Sequence, residues 1–172
     1  MLIERAELTV ISRSPQETEE IGEALGSCLR GDEVISLEGE LGTGKTTLVK
    51  GLARGLGVGV PIASPTFVLA SEYAGTSLRL QHLDLYRVED AREFVASGLE
   101  DALWGEAIVA VEWPEKVRHL LPAARLWITL RHSGGDQRRL HFEASGSRYV
   151  DLLRRLGDRL AQPEPGPALE VH

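Results

Sequence analysis

Gly39-Glu40-Leu41-Gly42-Thr43-Gly44-Lys45-Thr46-Thr47 is the stretch that decides the fold. It follows the apolar run Val34-Ile35-Ser36-Leu37 and opens a segment with helical spacing, Leu48 through Leu56. Glycines at its first and sixth positions, followed by Lys and Thr, complete a phosphate-binding loop pattern between a strand and a helix. Such glycines let successive backbone amides curl into a nest for phosphate oxygens, and the helix N-terminus adds a favourable dipole. Lys45 reaches the outer phosphates as a point charge, and the Thr46 hydroxyl is suited to ligate magnesium. The stretch predicts binding of a nucleoside triphosphate.

Working outward, strands and helices alternate. Glu7 to Ile11 reads as a short strand, and Ser14-Pro15 starts a helix whose apolar face is Ile21, Ala24, Leu25, Cys28 and Leu29. After the loop helix, Phe67 to Tyr73 and Leu78 to Asp84 flank a turn and read as a hairpin. A short helix covers Asp90 to Ala96, and Ala107 to Glu112 is a continuous apolar strand ending in an acid. Trp113-Pro114 breaks that strand, and Pro114 to Leu121 reads as a short helix. Leu126 to Leu130 and Arg139 to Glu143 flank Ser133 to Asp136 as a second hairpin, and Tyr149 to Leu160 is a final helix. The pattern predicts an α/β fold with a mixed, mainly parallel central sheet and antiparallel hairpin additions, in one domain over 1–160. A tail over 161–172 carries Pro163, Pro165 and Pro167 and reads as disordered.

Composition narrows the partners. The net charge of −7 argues against gripping tRNA or DNA unaided, because that needs a basic surface. Arg148, Arg154, Arg155 and Arg159 fall on the final helix, but Asp151 stands one turn from Arg155, which predicts a solvated, partly paired face. No apolar run is long enough to span a bilayer, the first residues lack a secretory signal, and Cys28 is the single cysteine. A cytoplasmic protein that avoids membranes is expected, with Cys28 a buried thiol.

A phosphate loop needs a second, metal-side acid, usually at the carboxyl end of a buried strand. Asp84 and Glu112 compete for that role. The Glu112 strand is apolar throughout, as expected for a parallel strand covered on both faces. The strand before Asp84 sets Leu78 and Leu80 against Arg79, Gln81 and His82, which predicts a half-exposed antiparallel strand. Periodicity therefore favours Glu112. Thr66 has two readings: a sensor of the terminal phosphate, as in switch loops, or a Ser-Pro-Thr turn that starts a strand.

The phosphate loop, Ser64-Pro65-Thr66-Phe67, His82-Leu83-Asp84-Leu85-Tyr86-Arg87 and Val111-Glu112-Trp113-Pro114 together closely resemble the TsaE (YjeE) family. The resemblance runs from about Ser14 to the final hairpin. It implies a P-loop NTPase fold, slow hydrolysis of ATP with Mg²⁺, and action with two partner proteins, TsaB and TsaD. That complex adds a threonylcarbamoyl group to adenosine 37 of tRNAs reading codons that begin with A, so contact with tRNA would be indirect. Carried onto this chain, Gly42, Thr43, Gly44, Lys45, Thr46 and Thr47 would bind the phosphates, with Lys45 on the β and γ oxygens. Thr46 and Glu112 would hold Mg²⁺, Thr66 would sense the γ-phosphate, and Asp84 would position the attacking water or the outer metal shell. Trp113 would lie near the nucleotide. Arg87 and Arg139 are candidates for nucleotide or partner contacts, and the segment Ser14 to Thr18 for base recognition.

Two other functions share the loop. A small-molecule kinase would need a lid, for which Arg131, Arg138 and Arg139 are candidates, but those arginines sit in the hairpin. A GTPase would need an Asn/Thr-Lys-x-Asp segment, but the chain has no asparagine, and Lys116, the one lysine beyond the loop helix, sits in Glu-Lys-Val-Arg.

Overall fold

The computed structural model describes residues 2–63 and 70–162. The elements are β1 (Arg5–Ser12), α1 (Pro15–Cys28), β2 (Val34–Glu38), α2 (Lys45–Gly55), β3 (Ala70–Ala74), β4 (Arg79–Asp84), α3 (Ala91–Ala96), β5 (Ile108–Glu112), β6 (Arg125–His132), β7 (Arg138–Ser145) and α4 (Ser147–Ala161). Two 3₁₀ segments, Leu99–Trp104 and Pro114–Leu120, flank β5. The expected strand from Phe67 is described only from Ala70, and the proline-rich tail lies outside the described residues from 163 onward.

The strands form one seven-stranded sheet in the order β1-β7-β6-β2-β5-β4-β3. Its centre is parallel: β2 pairs with both β6 and β5, and β5 with β4. The two hairpins add antiparallel pairs at the flanks, β3 on β4 and β7 on β6, and β1 closes the far edge against β7. This is a mixed α/β sheet of the P-loop NTPase type, with the loop leaving its central strand.

Period-two geometry divides the core between the sheet's faces. On one face Ile35, Leu37, Ile108 and Ala110 pack with Leu25, Leu48, Leu52 and Leu156 from α1, α2 and α4. On the other, Val109, Val111, Leu83 and Trp127 pack with Phe94 of α3 and with Leu103 and Val117 of the 3₁₀ segments. Every residue of β5 is buried, as its apolar run predicts. Cys28 is buried at the end of α1.

α1 starts where its sequence says it should. Ser14 is extended, and its Oγ accepts the Glu17 N–H at 3.1 Å, while Glu17 in turn accepts the Arg13 N–H at 2.7 Å. α1 and α2 then meet through glycines. A Cβ placed on Gly22 would stand 2.2 Å from the Leu48 carbonyl oxygen, and one on Gly51 only 1.9 Å from that of Glu19. Gly26 and Gly55 repeat the contact one turn on. Each helix glycine costs about 1 kcal/mol relative to alanine. The close approach it permits sets the height and angle of α2, and so of the loop it carries.

β4 departs from expectation. It is antiparallel only to β3; its other neighbour is the parallel β5, so it lies inside the sheet. His82 does not belong to an exposed polar row. It shares a face with Leu80 and Asp84, two residues away on either side, and is fully buried.

Candidate functional site

The site sits at the carboxyl edge of the parallel strands, where ligands bind in open α/β sheets. β2 delivers the loop there, and the loop turns through Gly42 (φ 79°) and Gly44 (φ 101°), both left-handed. Gly39 is required for a different reason: a Cβ there would meet Thr43 Oγ1 at 2.6 Å and the Leu130 carbonyl oxygen at 2.8 Å. Gly44 caps α2 with no side chain. The first-turn amides of α2 thus face the loop cavity with the helix dipole behind them.

Lys45, the first residue of α2, is almost wholly buried. Its ammonium donates to the Gly39 carbonyl oxygen and, at 3.5 Å, to that of Glu40. It also lies 3.6 Å from the centre of the Trp113 ring, a cation–π contact. Burial pushes its pKa down, while the carboxylates of Glu112, Glu115 and Asp84 push it back up.

β5 and β4 bring two acids to the same place. Asp84 and Glu112 are direct partners in the parallel ladder, with side chains on the α2 face. Glu112 is 3% exposed, and its Oε1 lies 3.3 Å from Thr46 Oγ1. Both are hard oxygen donors. Neighbouring ligands in a magnesium octahedron, with Mg–O near 2.1 Å, stand about 3 Å apart. The pair therefore fits a magnesium ion. Asp84 is half-buried, and its Oδ1 accepts the Tyr86 N–H at 3.0 Å. Burial raises its pKa, and Glu112 adds to the rise. The Tyr86 amide, His82 and Lys45 oppose it.

Trp113 is the turning point after β5. Its φ of 62° is left-handed, a conformation that costs a non-glycine residue of order 1 kcal/mol. The turn brings the indole beneath Lys45, with the Tyr86 ring 5.2 Å away. Lys116 donates to the Tyr86 and Val88 carbonyl oxygens, at 2.5 and 2.8 Å, tying the segment after β4 to the segment after β5. A cleft of ≈ 530 Å³ opens beside the loop, lined among others by Gly39, Thr43, Trp113, Thr129 and Arg131.

The structure thus gathers Gly42, Thr43, Gly44, Lys45, Thr46, Glu112, Asp84 and Trp113 at one edge, with Thr47 half-buried in the first turn of α2. Thr66 lies outside the described residues. The Ser14 to Thr18 segment does neighbour the loop, since Thr18 Cγ2 would be 3.6 Å from a Cβ on Gly44. Arg87 is exposed after β4. Arg139 is exposed on β7; its neighbour Arg138 donates to the Gly42 carbonyl oxygen at 3.4 Å. β7 runs antiparallel to β6, so their turn falls at the loop's edge of the sheet. That geometry singles out Arg138.

Sequence reasoning also missed His82. Its Nε2 lies 2.5 Å from Glu112 Oε2, and both side chains are buried. The signal was its place two residues before Asp84, which puts both on one face.

On the final helix, Arg148 pairs with Asp32 and Glu33, while Arg154 and Arg155 both pair with Asp151, as the expected paired face requires. Among the described residues no helix is long and apolar enough to cross a membrane.

Comparison with known proteins identifies relatives of the chain as a whole. The family described as "Threonylcarbamoyl adenosine biosynthesis protein TsaE" matches residues 12–140. The chain is 39% identical over 143 residues to the tRNA threonylcarbamoyladenosine biosynthesis protein TsaE of Bacillus subtilis, spanning 83% of this chain and 89% of that one. It is 46% identical over 111 residues to the protein of the same name from Aquifex aeolicus, spanning 62% of this chain and 77% of that one. Among solved structures, Bacillus subtilis YdiB superposes with a TM-score of 0.72 at 33% identity, covering 92% of this chain and 97% of YdiB.

Proposed function

The chain belongs to the TsaE family, and from that premise we propose that it is a Mg²⁺-dependent, slowly hydrolysing ATPase that supports threonylcarbamoylation of adenosine 37 in tRNAs reading codons that begin with A. It acts on the complex of TsaB and TsaD and meets tRNA only through that complex. The observation that carries the reading is the convergence of Lys45, Thr46 and Glu112 at the end of β2 and β5.

The residues divide the work as follows. The loop amides from Gly42 to Thr47 hold the phosphate oxygens, aided by the α2 dipole. Lys45 leaves the Gly39 carbonyl and the Trp113 ring to pair with the β and γ oxygens, a movement the cation–π contact makes visible to the indole. Thr46 and Glu112 would hold the magnesium ion, which when bound neutralises charge on the β and γ oxygens. Asp84 stands beside Glu112 with a raised pKa, a suitable acceptor for a water aimed at the γ-phosphate. Thr66 is assigned the γ-phosphate contact, from the family pattern alone.

The acid balance and the paired arginines of α4 favour indirect contact with tRNA. The isolated protein should therefore bind tRNA weakly at physiological salt. Submicromolar binding by this chain alone would overturn that part of the reading. The decisive experiment is tRNA modification reconstituted with TsaB and TsaD over many turnovers. Sustained modification should need this protein, ATP and an intact Lys45. Undiminished turnover in its absence, or with Lys45→Ala, would rule out the proposal.

A further inference from the structure

We propose that His82 is a positioning residue that holds the Glu112 carboxylate in the orientation needed to ligate the divalent cation, an inference that rests on the magnesium–nucleotide reading above. His82 is fully buried on β4, and its Nε2 stands 2.5 Å from Glu112 Oε2. An ionised carboxylate only accepts hydrogen bonds, so Nε2 carries the proton and donates. Oε2 is thereby engaged on the sheet side. Oε1 is the oxygen nearer to Thr46, at 3.3 Å against 3.5 Å for Oε2. The carboxylate is held between the imidazole on the sheet side and the Thr46 hydroxyl on the loop side, which lies within reach of both oxygens.

Packing alone does not account for a histidine here. Its Nδ1 has no hydrogen-bond partner among the described residues. An apolar residue of similar size would fill the position without burying an unpaired nitrogen. The one polar tie that His82 makes among those residues is to Glu112. Strand geometry explains how it arrives: His82 pairs with Ala110, and Asp84 with Glu112, so imidazole and carboxylate meet across the diagonal of one sheet face. Groups that hydrogen-bond a metal ligand restrict its rotamers, and their loss costs about 10–100-fold in metal affinity or activity.

The test compares the wild type with His82→Leu, which removes the donor, and His82→Gln, whose side-chain amide can donate from a similar place. Calorimetry gives the Mg²⁺ concentration for half-maximal binding of a non-hydrolysable ATP analogue, binding of the analogue in EDTA, and Tm. His82→Leu should raise the half-saturating Mg²⁺ concentration about 10–100-fold while leaving binding in EDTA unchanged. His82→Gln should recover most of the loss. A normal Mg²⁺ requirement in a folded His82→Leu would overturn the proposal. So would equal losses in both variants that track a fall in Tm, the signature of a packing role. Analogue binding by the wild type that ignores Mg²⁺ would sink the magnesium reading itself, and the proposal with it.

Discussion

β4 and β5 lie side by side, run parallel and each end in a carboxylate at the same edge, yet they deliver those groups in different states. Glu112 closes a strand buried along its whole length and is itself buried, with the Thr46 hydroxyl within reach of both its oxygens and the His82 imidazole on Oε2. Asp84 closes a strand that is partly open to solvent, is half-buried, and among the described residues is held by one backbone amide. A carboxylate fixed at both oxygens suits a metal ligand, whose geometry must be repeated at every turnover. A carboxylate held once, with its pKa raised by burial, suits a group that orients a water and takes up charge transiently. Adjacent strands can thus supply the rigid and the adaptable acid of one site.

The largest effects should come from the rigid side. Lys45→Ala and Glu112→Ala should each lower Mg²⁺-dependent ATP turnover by about 10³-fold while leaving the fold intact. Steady-state phosphate release, with circular dichroism as the folding control, checks both. Turnover within tenfold of wild type for Glu112→Ala would erase the distinction between the two acids.

Asp84→Ala should separate binding from turnover. Nucleotide affinity stays near wild type, while hydrolysis falls by about 10²-fold and support of tRNA modification fails with it. Loss of nucleotide binding in step with turnover would instead make Asp84 a second metal ligand, equivalent to Glu112. Normal hydrolysis would remove it from the mechanism.

The same contrast explains what the sequence could and could not reveal. The apolar run Ile108 to Val111 is legible because a strand covered on both faces has no room for polar side chains, and it led directly to Glu112. β4 misleads because its buried face carries a polar residue: His82 reads as solvent-facing unless its partner across the sheet is known, and that partner is thirty residues away. Gly22, Gly26, Gly51 and Gly55 look like weak points in two helices. Only the packed pair reveals that each takes the space of a neighbouring carbonyl. Arg138 rather than Arg139 reaches the loop because successive side chains of β7 point to opposite faces, and Arg138 shares the face of Leu140, Phe142 and Ala144, which packing alone identifies as the side of α1 and α2. The loop itself needed no tertiary information, since its glycines, Lys45 and Thr46 are contiguous.

The smallest effect is the most direct probe of how Asp84 is held. Burial raises its pKa above the ordinary 3.8, so between that value and the raised one the folded protein binds more protons at this site than the unfolded chain does. Stability must therefore fall as pH rises through that window, and above it the ionised carboxylate opposes folding. Asp84→Asn removes the charge and its repulsion from Glu112, and the amide oxygen can still accept the Tyr86 N–H. Near neutral pH the variant should melt higher than wild type, by about 1–2 °C because solvent screens a half-exposed group. Below pH 3.8 both proteins carry a neutral side chain here, and the difference should vanish. Glu112 offers no such gain: replacing it would strand the His82 donor in a buried site. Differential scanning calorimetry of both variants across pH tests the contrast. A lower melting temperature for Asp84→Asn at neutral pH would mean that Asp84, like Glu112, is a fixed and stabilising part of the folded edge.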